Sequence, residues 1–425
     1  MMKKNILVFP CGSEIGLEIH RSLKYSRHLN LIGGSSVEDH GKFIYNRCIE
    51  NIPFYNSDDF ISKLKVIIEE QSIDAIYPTM DAVISKVSEA SDVLGCLIIG
   101  SPAKTNTLCS SKLSTYSVLR NYVNVPMQYT DIESVSLFPV FMKPDVGYGS
   151  RGAKLIEDEE EGINHLKKYE NCIILENLPG KEYTVDCFTD KNGELLFARA
   201  RERKRIMKGI SVNTIPVSDL ENEFSNFAKN INKRIEFRGA WFFQVKKDVN
   251  GELSLLEVAS RIAGSSALFR NTGVNLALLS VFDAFGYDVS VFSNKYDLTL
   301  DRALSNKYKI NIEYQTVYVD FDDCLLLTDK VNTTLIAFLY QALNENKSLK
   351  LITKHSLDIK KTLSEYRLLE LFDEIIHLKN EDQKYKYMKD RESIFIDDSH
   401  VERFEVYNNL NLPVFSPDAV ESLLN

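Results

Sequence analysis

The sequence has no excess of positive charge and no long apolar run at its start. Lysine and arginine total 51 against 60 acidic residues, a formal net charge of −9, whereas a general nucleic-acid binder needs a basic face for phosphates. The first apolar run, residues 6–10, ends at Cys11-Gly12-Ser13, far short of a signal-peptide core or a spanning helix. We therefore expect no nucleic-acid or membrane partner, and we interpret this run as a first buried strand.

Cysteine is also used without a metal-binding or disulfide pattern. The sequence has no Cys-x-x-Cys pair and no histidine nearby at ligand spacing, which indicates neither a zinc site nor a disulfide framework and fits a reducing cytoplasm. At 425 residues, with 44% hydrophobic and 26% charged residues, the composition is that of a soluble globular protein of two to four domains. The seven cysteines are at positions 11, 48, 96, 109, 172, 187 and 324.

The first hundred residues predict a parallel sheet, because short apolar runs alternate with amphipathic stretches in the pattern of βαβ units. The turn after the first run contains Gly12 and Gly16, but Glu14 stands where a dinucleotide-binding turn needs a glycine. A carboxylate there would meet the pyrophosphate, so we interpret the segment as a packing turn. The apolar runs are 6–10, 29–33, 75–78 and 96–99, and the amphipathic stretches are 60–70 and 82–94.

A glycine-rich segment is the main candidate for phosphate binding. Gly147, Gly149 and Gly152 form a Gly-x-Gly-x-x-Gly that follows an apolar strand ending in Lys143 and leads into a second strand at Ala153. A dinucleotide-binding turn would open a helix instead. The N–H groups of a loop between two antiparallel strands can close over a polyphosphate, with the lysine as counter-charge. The alternative is a flexible hairpin with an ordinary surface lysine.

Beyond residue 105 the pattern changes from βαβ to α+β. Asn192-Gly193 and Asn250-Gly251 separate apolar runs and predict antiparallel hairpins. On the strand after the first of these turns, arginines recur with period two and therefore share one face. This face either binds carboxylate or phosphate groups or is a solvated edge. The arginines are Arg199, Arg201, Arg203 and Arg205.

Three isolated polar residues mark further candidate ligand positions. Gln244 and Glu257 each interrupt an apolar strand, and burying such groups is costly unless they are paired or bind a metal. Lys112 lies in the first turn of a predicted helix, where a cation opposes the helix dipole and indicates an anion nearby. An ordinary surface lysine is the alternative at this position.

A second set of strand-end residues begins at residue 316. Three apolar strands end in polar groups, and the carboxyl ends of strands in α/β folds bind ligands. Clustered acids repel one another unless a cation lies between them, so we predict a Mg²⁺ site. The residues of this set are Asp320, Asp322, Thr353, Asp397 and Asp398, with Lys384 on a helical stretch between them.

Residues 5–285 resemble the ATP-grasp superfamily, in the branch around the large subunit of carbamoyl-phosphate synthetase and similar carboxylate–amine ligases. The resemblance implies a Rossmann-like pre-ATP-grasp domain over 1–105, an ATP-grasp domain over 106–305, and ATP and Mg²⁺ as cofactors. Two lysines and the glycine loop would hold the phosphates, and a hinge would hold adenine and ribose. The implied ATP-binding residues are Lys112, Lys143, Gly147, Gly149, Ser150, Gly152, Glu176, Leu178 and Glu182.

The same resemblance assigns metal and substrate roles. It makes Gln244 and Glu257 the Mg²⁺ ligands and Arg261 the transition-state arginine. Ala259 departs from the family, which usually has an asparagine there as a ligand for a second magnesium. The arginine-bearing strand would lie beside the cleft for the substrate carboxylate, and its implied substrate-binding residues are Arg201, Arg203 and Arg205.

Residues 316–425, after a linker over 306–315, resemble haloacid-dehalogenase-like phosphatases. The resemblance makes Asp320 the nucleophile, Asp322 the general acid and base, Lys384 the charge-neutralising lysine and Thr353 a phosphate-binding residue. Cys324 stands where threonine is usual. Only thirty residues, 323–352, separate the first two motifs, which implies a Rossmannoid domain without a large cap. The implied metal-side acids are Asp320, Asp322, Asp397 and Asp398.

These expectations combine into a cytoplasmic enzyme with two functions. The ligase would phosphorylate a small-molecule carboxylate to an acyl phosphate that an amine then attacks, and the phosphatase would hydrolyse a phosphate ester through an aspartyl phosphate. The alternatives are an ATP-binding sensor or scaffold with a decayed ligase site, and a kinase on the ATP-grasp fold. We expect small-molecule partners and allow for a homodimer.

Overall fold

The computed structural model describes residues 3–147, 151–207 and 209–424. The chain divides into two compact units, Met1–Leu304 and Ser305–Asn425. Over the described ranges, every helix is too short or too polar to cross a bilayer.

The first unit begins with a five-stranded parallel sheet in the order β3-β2-β1-β4-β5, which confirms the expected βαβ pattern. Ser13 starts the first helix, because its hydroxyl accepts a hydrogen bond from the N–H of Gly16. The order reverses between β1 and β4, so Glu14 and Asp81 follow strand ends at the point where such sheets bind ligands. The strands are β1 (Lys4–Phe9), β2 (Leu29–Gly34), β3 (Cys48–Ile49), β4 (Ala75–Pro78) and β5 (Leu97–Ile98), and the helices are α1 (Glu14–Leu23), α2 (Phe60–Glu70), α3 (Asp81–Glu89) and α4 (Ser91–Leu94).

Two antiparallel sheets form the rest of the first unit: a four-stranded sheet in the order β6-β9-β7-β8 and a six-stranded sheet in the order β14-β13-β10-β11-β12-β15. The strands are β6 (Gln128–Tyr129), β7 (Val140–Pro144), β8 (Lys154–Ile156), β9 (Cys172–Glu176), β10 (Glu182–Thr189), β11 (Leu195–Met207), β12 (Ile210–Pro216), β13 (Gly239–Lys247), β14 (Leu253–Ala259) and β15 (Leu300–Asp301). The helices are α5 (Ala103–Ser110), α6 (Lys112–Leu119), α7 (Glu159–Lys168), α8 (Glu221–Asn232), α9 (Ala267–Arg270) and α10 (Leu276–Ala284).

Both predicted Asn-Gly hairpins are confirmed. They connect the antiparallel pairs β10–β11 and β13–β14, and Gly193 and Gly251 have φ of +80° and +83°, a conformation that glycine adopts without strain. The strands on either side of the glycine loop, β7 and β8, are antiparallel as predicted.

The two faces of the six-stranded sheet have different surroundings. Tyr183, Val185 and Cys187 of β10 are buried in one hydrophobic core with Trp241 of β13 and Phe224 of α8. Because side chains alternate along a strand, the even-numbered residues of β10 lie on the opposite face. This second face supplies the polar side chains of the candidate site.

The second unit is a five-stranded parallel sheet in the order β20-β19-β16-β21-β22, with a small β17–β18 hairpin. The central strand β16 pairs in parallel with β19 and β21, so the carboxyl ends of these three buried strands meet at one edge. Lys384 lies on a short 3₁₀ helix, Lys384–Lys386. The strands are β16 (Thr316–Val319), β17 (Leu326–Leu327), β18 (Lys330–Val331), β19 (Ser348–Thr353), β20 (Glu374–His377), β21 (Ser393–Ile396) and β22 (Val414–Phe415), and the helices are α11 (Thr333–Asn344), α12 (Ile359–Glu365) and α13 (His400–Leu410).

Candidate functional site

A cavity of about 240 Å³ in the first unit has walls from both antiparallel sheets. Strands β7 and β9 supply one wall, and β10, β11, β13 and β14 supply the other. The structure thus brings together most of the residues that the sequence assigns to ATP and Mg²⁺. Those that line the cavity are Lys112, Lys143, Gly147, Glu176, Leu178, Glu182, Gln244 and Glu257.

The structure describes only part of the glycine loop. Gly149 and Ser150 lie outside the described residues. Gly152 has φ of +72°, but it is not among the residues that line the cavity. Arg151 and Lys246 line the cavity although the sequence did not single them out. Lys246 could have been found, because it lies two positions after Gln244 on β13 and therefore on the same face.

Lys143 is a buried cation in this cavity. Its Nζ donates hydrogen bonds to the carbonyl of Leu256, at 2.8 Å, and to the hydroxyl of Tyr116, at 3.1 Å. Burial lowers the pKa of Lys143 to about 8, and the nearby Lys112 adds to this effect while Glu257 opposes it. A desolvated amine in a cavity gains from an anionic ligand that restores its charge. Tyr116 gave no signal in the sequence, since a tyrosine in an apolar helix is typical of a core.

Lys112 is held at the start of α6 by Asp145. The Lys112 Nζ donates to the carbonyl of Asp145 at 2.9 Å, and the Asp145 carboxylate accepts hydrogen bonds from the Ser111 hydroxyl and the Leu113 N–H, at 2.9 and 2.7 Å. The anion that the sequence indicated near this helix start is therefore, in this structure, the carboxylate of Asp145, which also complements the helix dipole.

Arg203 joins the predicted ribose and magnesium residues. Its Nη1 donates to Oε1 of Glu182 and, at 3.2 Å, to Oε1 of Gln244, and its Nη2 donates to the carbonyl of Gly209 at 2.6 Å. Gln244 and Glu257 are directly paired in the β13–β14 register. Two oxygen-bearing side chains on adjacent strands beside a buried lysine are a donor set that suits Mg²⁺ bound to phosphates.

The other predicted arginines do not share this environment. The Arg201 side chain is 2% exposed, and its Nε donates to Oδ2 of the equally buried Asp186 at 2.7 Å. The Arg205 side chain is 54% exposed and pairs with Asp301. Neither lines the cavity. The expected row of four equivalent guanidiniums does not form, because each finds a separate partner and the register shifts between Arg203 and Arg205.

Arg261 lies just after β14 and is held from the first sheet. Its Nε and Nη2 donate to the two carboxylate oxygens of Asp81, at 2.7 and 3.0 Å, and the guanidinium lies 5.2 Å from the ring centre of Phe242. Burial acts to lower the pKa of Arg261, but Asp81, with smaller contributions from Glu257 and Glu14, outweighs it, so that the pKa is raised. Arg261 stays charged.

The second unit brings three of the four strand-end acids close together. One oxygen from each of Asp320, Asp397 and Asp398 lies within 4.8 Å of the others. Lys384 donates to Asp320 and Asp397, at 2.6 Å each. Burial raises the pKa of Asp320 to about 7; Lys384 opposes this shift and Asp397 adds to it. Such a cluster of carboxylates can hold a divalent cation.

Thr353 is buried at the end of β19, and its Oγ1 accepts a hydrogen bond from the His355 N–H. Asp322 differs from the expected fourth metal-side acid. Its carboxylate is 50% exposed, and its oxygens lie 2.9 and 3.0 Å from Nδ1 of His355. The carboxylate that was assigned to the metal thus contacts His355 instead, a histidine that the sequence analysis did not indicate.

Comparison with known proteins shows the fold of the first unit. The family model described as "ATP-grasp in the biosynthetic pathway with Ter operon" matches residues 168–301. The biotin carboxylase domain of 2-oxoglutarate carboxylase from Hydrogenobacter thermophilus, solved with MgADP, ADP and bicarbonate, superposes with a TM-score of 0.58 at 18% identity, covering 69% of this chain and 72% of that one. The expected ATP-grasp fold is confirmed.

More specific similarities are to ligases. The D-alanine–D-alanine ligase of Thermotoga petrophila is 26% identical over 183 residues, 40% of this chain and 58% of that enzyme, and the Fusobacterium nucleatum enzyme is 30% identical over 112 residues, 26% of this chain and 38% of that enzyme. The chain therefore spans 58% of the length of the first of these relatives and 38% of the second. The L-amino acid ligase from Bacillus licheniformis has the same fold, with a TM-score of 0.55 at 17% identity over 67% of this chain and 75% of that one.

Proposed function

We propose that the first unit is an ATP-dependent carboxylate–amine ligase. The observation that carries this proposal is the buried Lys143 in a cavity that Glu182, Gln244 and Glu257 also line. The similarity to D-alanine–D-alanine ligases and to an L-amino acid ligase supports the choice of reaction. ATP supplies the phosphoryl group that turns a carboxylate into an acyl phosphate, and Mg²⁺ offsets the phosphate charge.

The chemistry of each side chain suits it to a different part of this reaction. Lys112 and Lys143 would hold phosphates, Gln244 and Glu257 would hold Mg²⁺, and Glu182 would bind ribose. Of the three arginines that the sequence assigned to the substrate, Arg203 alone lines the cavity. It would orient the substrate carboxylate through a bidentate contact. By the ATP-grasp resemblance, Arg261 would neutralise the charge that develops on the transferred phosphoryl group; it is not itself among the residues that line the cavity, but it follows Glu257, which is, by four positions.

Replacing Lys143 tests the nucleotide site. We expect Lys143→Met, which keeps the apolar stem, to weaken MgATP binding by about 1.5–3 kcal/mol, because a charge-assisted contact is lost. Isothermal titration calorimetry measures this affinity. Lys63→Ala, in an exposed ion pair on α2, is the control and should bind as the wild type does. Equal MgATP affinity of the Met variant and the wild type would show that Lys143 does not contribute to nucleotide binding.

The reaction type is tested separately. Mass spectrometry of a metabolite extract incubated with MgATP and the protein should reveal a condensed product with release of phosphate. A phosphorylated acceptor would indicate a kinase. Nucleotide binding without turnover would indicate a sensor, the reading that Ala259 favours because it offers no oxygen ligand for a second magnesium.

We also infer that the second unit is a Mg²⁺-dependent phosphatase. Asp320 would attack the phosphorus of a phosphate ester while Asp322 gives a proton to the departing oxygen, and water would then hydrolyse the aspartyl phosphate. Lys384, hydrogen-bonded to Asp320 and Asp397, would neutralise charge. Thr353, at the end of the neighbouring strand, would contact the phosphate. The buried lysine between two of the three clustered acids supports this proposal.

Asp320→Asn tests the phosphatase. We expect it to abolish Mg²⁺-dependent hydrolysis of p-nitrophenyl phosphate, since an amide cannot attack phosphorus as a carboxylate does. Asp329→Asn, at an exposed position in the same unit, is the matched control and should keep full activity, and MgATP affinity should not change in either variant. Wild-type hydrolysis by the Asp320 variant would exclude it as the nucleophile.

A further inference from the structure

The carboxylate of Asp81 contacts the side edge of the Arg261 guanidinium. Asp81 begins α3 at the end of β4, and Arg261 follows β14, 180 residues later in the chain. Both hydrogen bonds, at 2.7 and 3.0 Å, come from the edge formed by Nε and Nη2. A two-point contact between planar groups fixes orientation as well as distance.

Two further contacts limit the same guanidinium. Nη1 donates to the carbonyl of Ile262 at 3.3 Å, and the ring of Phe242 lies 5.2 Å from the guanidinium carbon. An arginine has five N–H donors in a fixed fork. Among the described residues, three are used by Asp81 and Ile262, which leaves one N–H on Nη1 and one on Nη2. Nη1 and Nη2 together form the end edge of the fork, the arrangement that binds a phosphate or carboxylate in a bidentate manner.

Asp81 is the more exposed partner of this ion pair. Its side chain is 42% exposed and that of Arg261 is 19% exposed, so water reaches the carboxylate while the guanidinium is largely shielded. Asp81 also gave no sequence signal, because it lies in the pre-ATP-grasp part of the unit. It nevertheless contacts Arg261, the residue that the ATP-grasp resemblance makes the transition-state arginine.

We propose that Asp81 is a positioning residue for Arg261, holding the side edge of the guanidinium so that its end edge is available to the transferred phosphoryl group. The inference rests on the proposed ligase function. It predicts that Asp81 matters for the phosphoryl group in transfer and not for the nucleotide as such, because an orienting contact is valuable only where charge develops.

The experiment compares binding of MgADP with binding of MgADP plus aluminium fluoride, which mimics the phosphoryl group in transfer, to the full-length protein. We expect Asp81→Asn to weaken the aluminium fluoride complex about ten-fold and to leave MgADP binding unchanged. Asp81→Glu, which keeps the charge, should recover part of the loss. Asp59→Asn, at the exposed start of α2, is the control and should bind both ligands as the wild type does.

A double-mutant cycle separates positioning from general damage. Arg261→Ala should lose at least as much affinity for the aluminium fluoride complex as Asp81→Asn, and adding Asp81→Asn to it should cause no further loss. If Asp81→Asn does not fold, Arg261→Lys asks the same question, since an ammonium offers no fork, and it should also lose about ten-fold.

Several results would overturn the inference. They are an unchanged aluminium fluoride complex in Asp81→Asn or in Arg261→Lys, an equal loss of MgADP affinity, additive losses in the double variant, or a wild type that gains no affinity from aluminium fluoride. A wild type that binds no MgADP would overturn the proposed ligase function as well, so the two failures are distinguishable.

Discussion

Burial favours the neutral amine of Lys143, whereas the nearby carboxylate of Glu257 favours the ammonium. Burial lowers its pKa from 10.5 to about 8, and Glu257 only partly offsets this. Near pH 8.5 a substantial fraction of the ligand-free protein therefore has a neutral amine at this position. A bound polyphosphate would raise the pKa again, because an opposite charge favours the ammonium. Nucleotide binding should then be coupled to proton uptake.

We expect MgATP binding at pH 8.5 to take up about 0.5–0.8 proton, and binding at pH 7 to take up about 0.1, as follows from a pKa that rises on binding. Calorimetric titrations in buffers of different ionisation enthalpy measure this number. Lys143→Met should show no uptake at either pH. Equal uptake in the wild type and this variant would show that another group titrates.

At the scale of secondary-structure elements, strand β11 supplies an arginine to each of two ion pairs in opposite environments, one with β10 and one with β15. Arg201 and Asp186 are both buried, and Arg205 and Asp301 are both about half exposed. Burial raises the pKa of Asp186 while Arg201 acts to lower it. Removing one member of a buried pair leaves an uncompensated charge, whereas an exposed pair is already screened by water. Arg205 therefore serves as a control for Arg201 on the same strand.

Arg201→Ala should lower the free energy of unfolding of the first unit by about 3–5 kcal/mol, and Arg205→Ala by less than about 1 kcal/mol. Urea denaturation followed by fluorescence measures both, because the single tryptophan of the chain, Trp241, lies on β13, the strand next to β10. Similar losses in the two variants would contradict the assignment of Arg201 to a structural role.

At the same scale, the sequence predicted the elements well, because local rules set them. The Asn-Gly turns and the antiparallel strands around the glycine loop depend on residues close together in the chain. The spacing of the arginines also placed them on one strand. It could not show that they would have different partners, because Asp186, Glu182 and Asp301 come from other strands and the register of β11 shifts.

At the scale of the whole molecule, each unit has its own hydrophobic cores and its own candidate site. We therefore expect each substitution to impair one activity and leave the other, and measuring MgATP affinity and phosphatase activity of both Lys143→Met and Asp320→Asn tests this. The net charge of −9 does not prevent a phosphate site, because the cations that matter lie together in one cavity.

The sequence alone indicated the ATP-grasp fold of the first unit, through a resemblance, and several of the residues that line its cavity. It also indicated the parallel strands whose ends gather Asp320, Asp397 and Asp398, because residues at the carboxyl ends of neighbouring parallel strands share one edge of a sheet. Only the tertiary structure decided that Arg203 and not Arg201 or Arg205 lines the cavity, that Tyr116 holds Lys143, and that Asp81 holds Arg261. These contacts join elements up to 180 residues apart, and burial and pairing at such distances depend on how sheets pack, which no local pattern encodes.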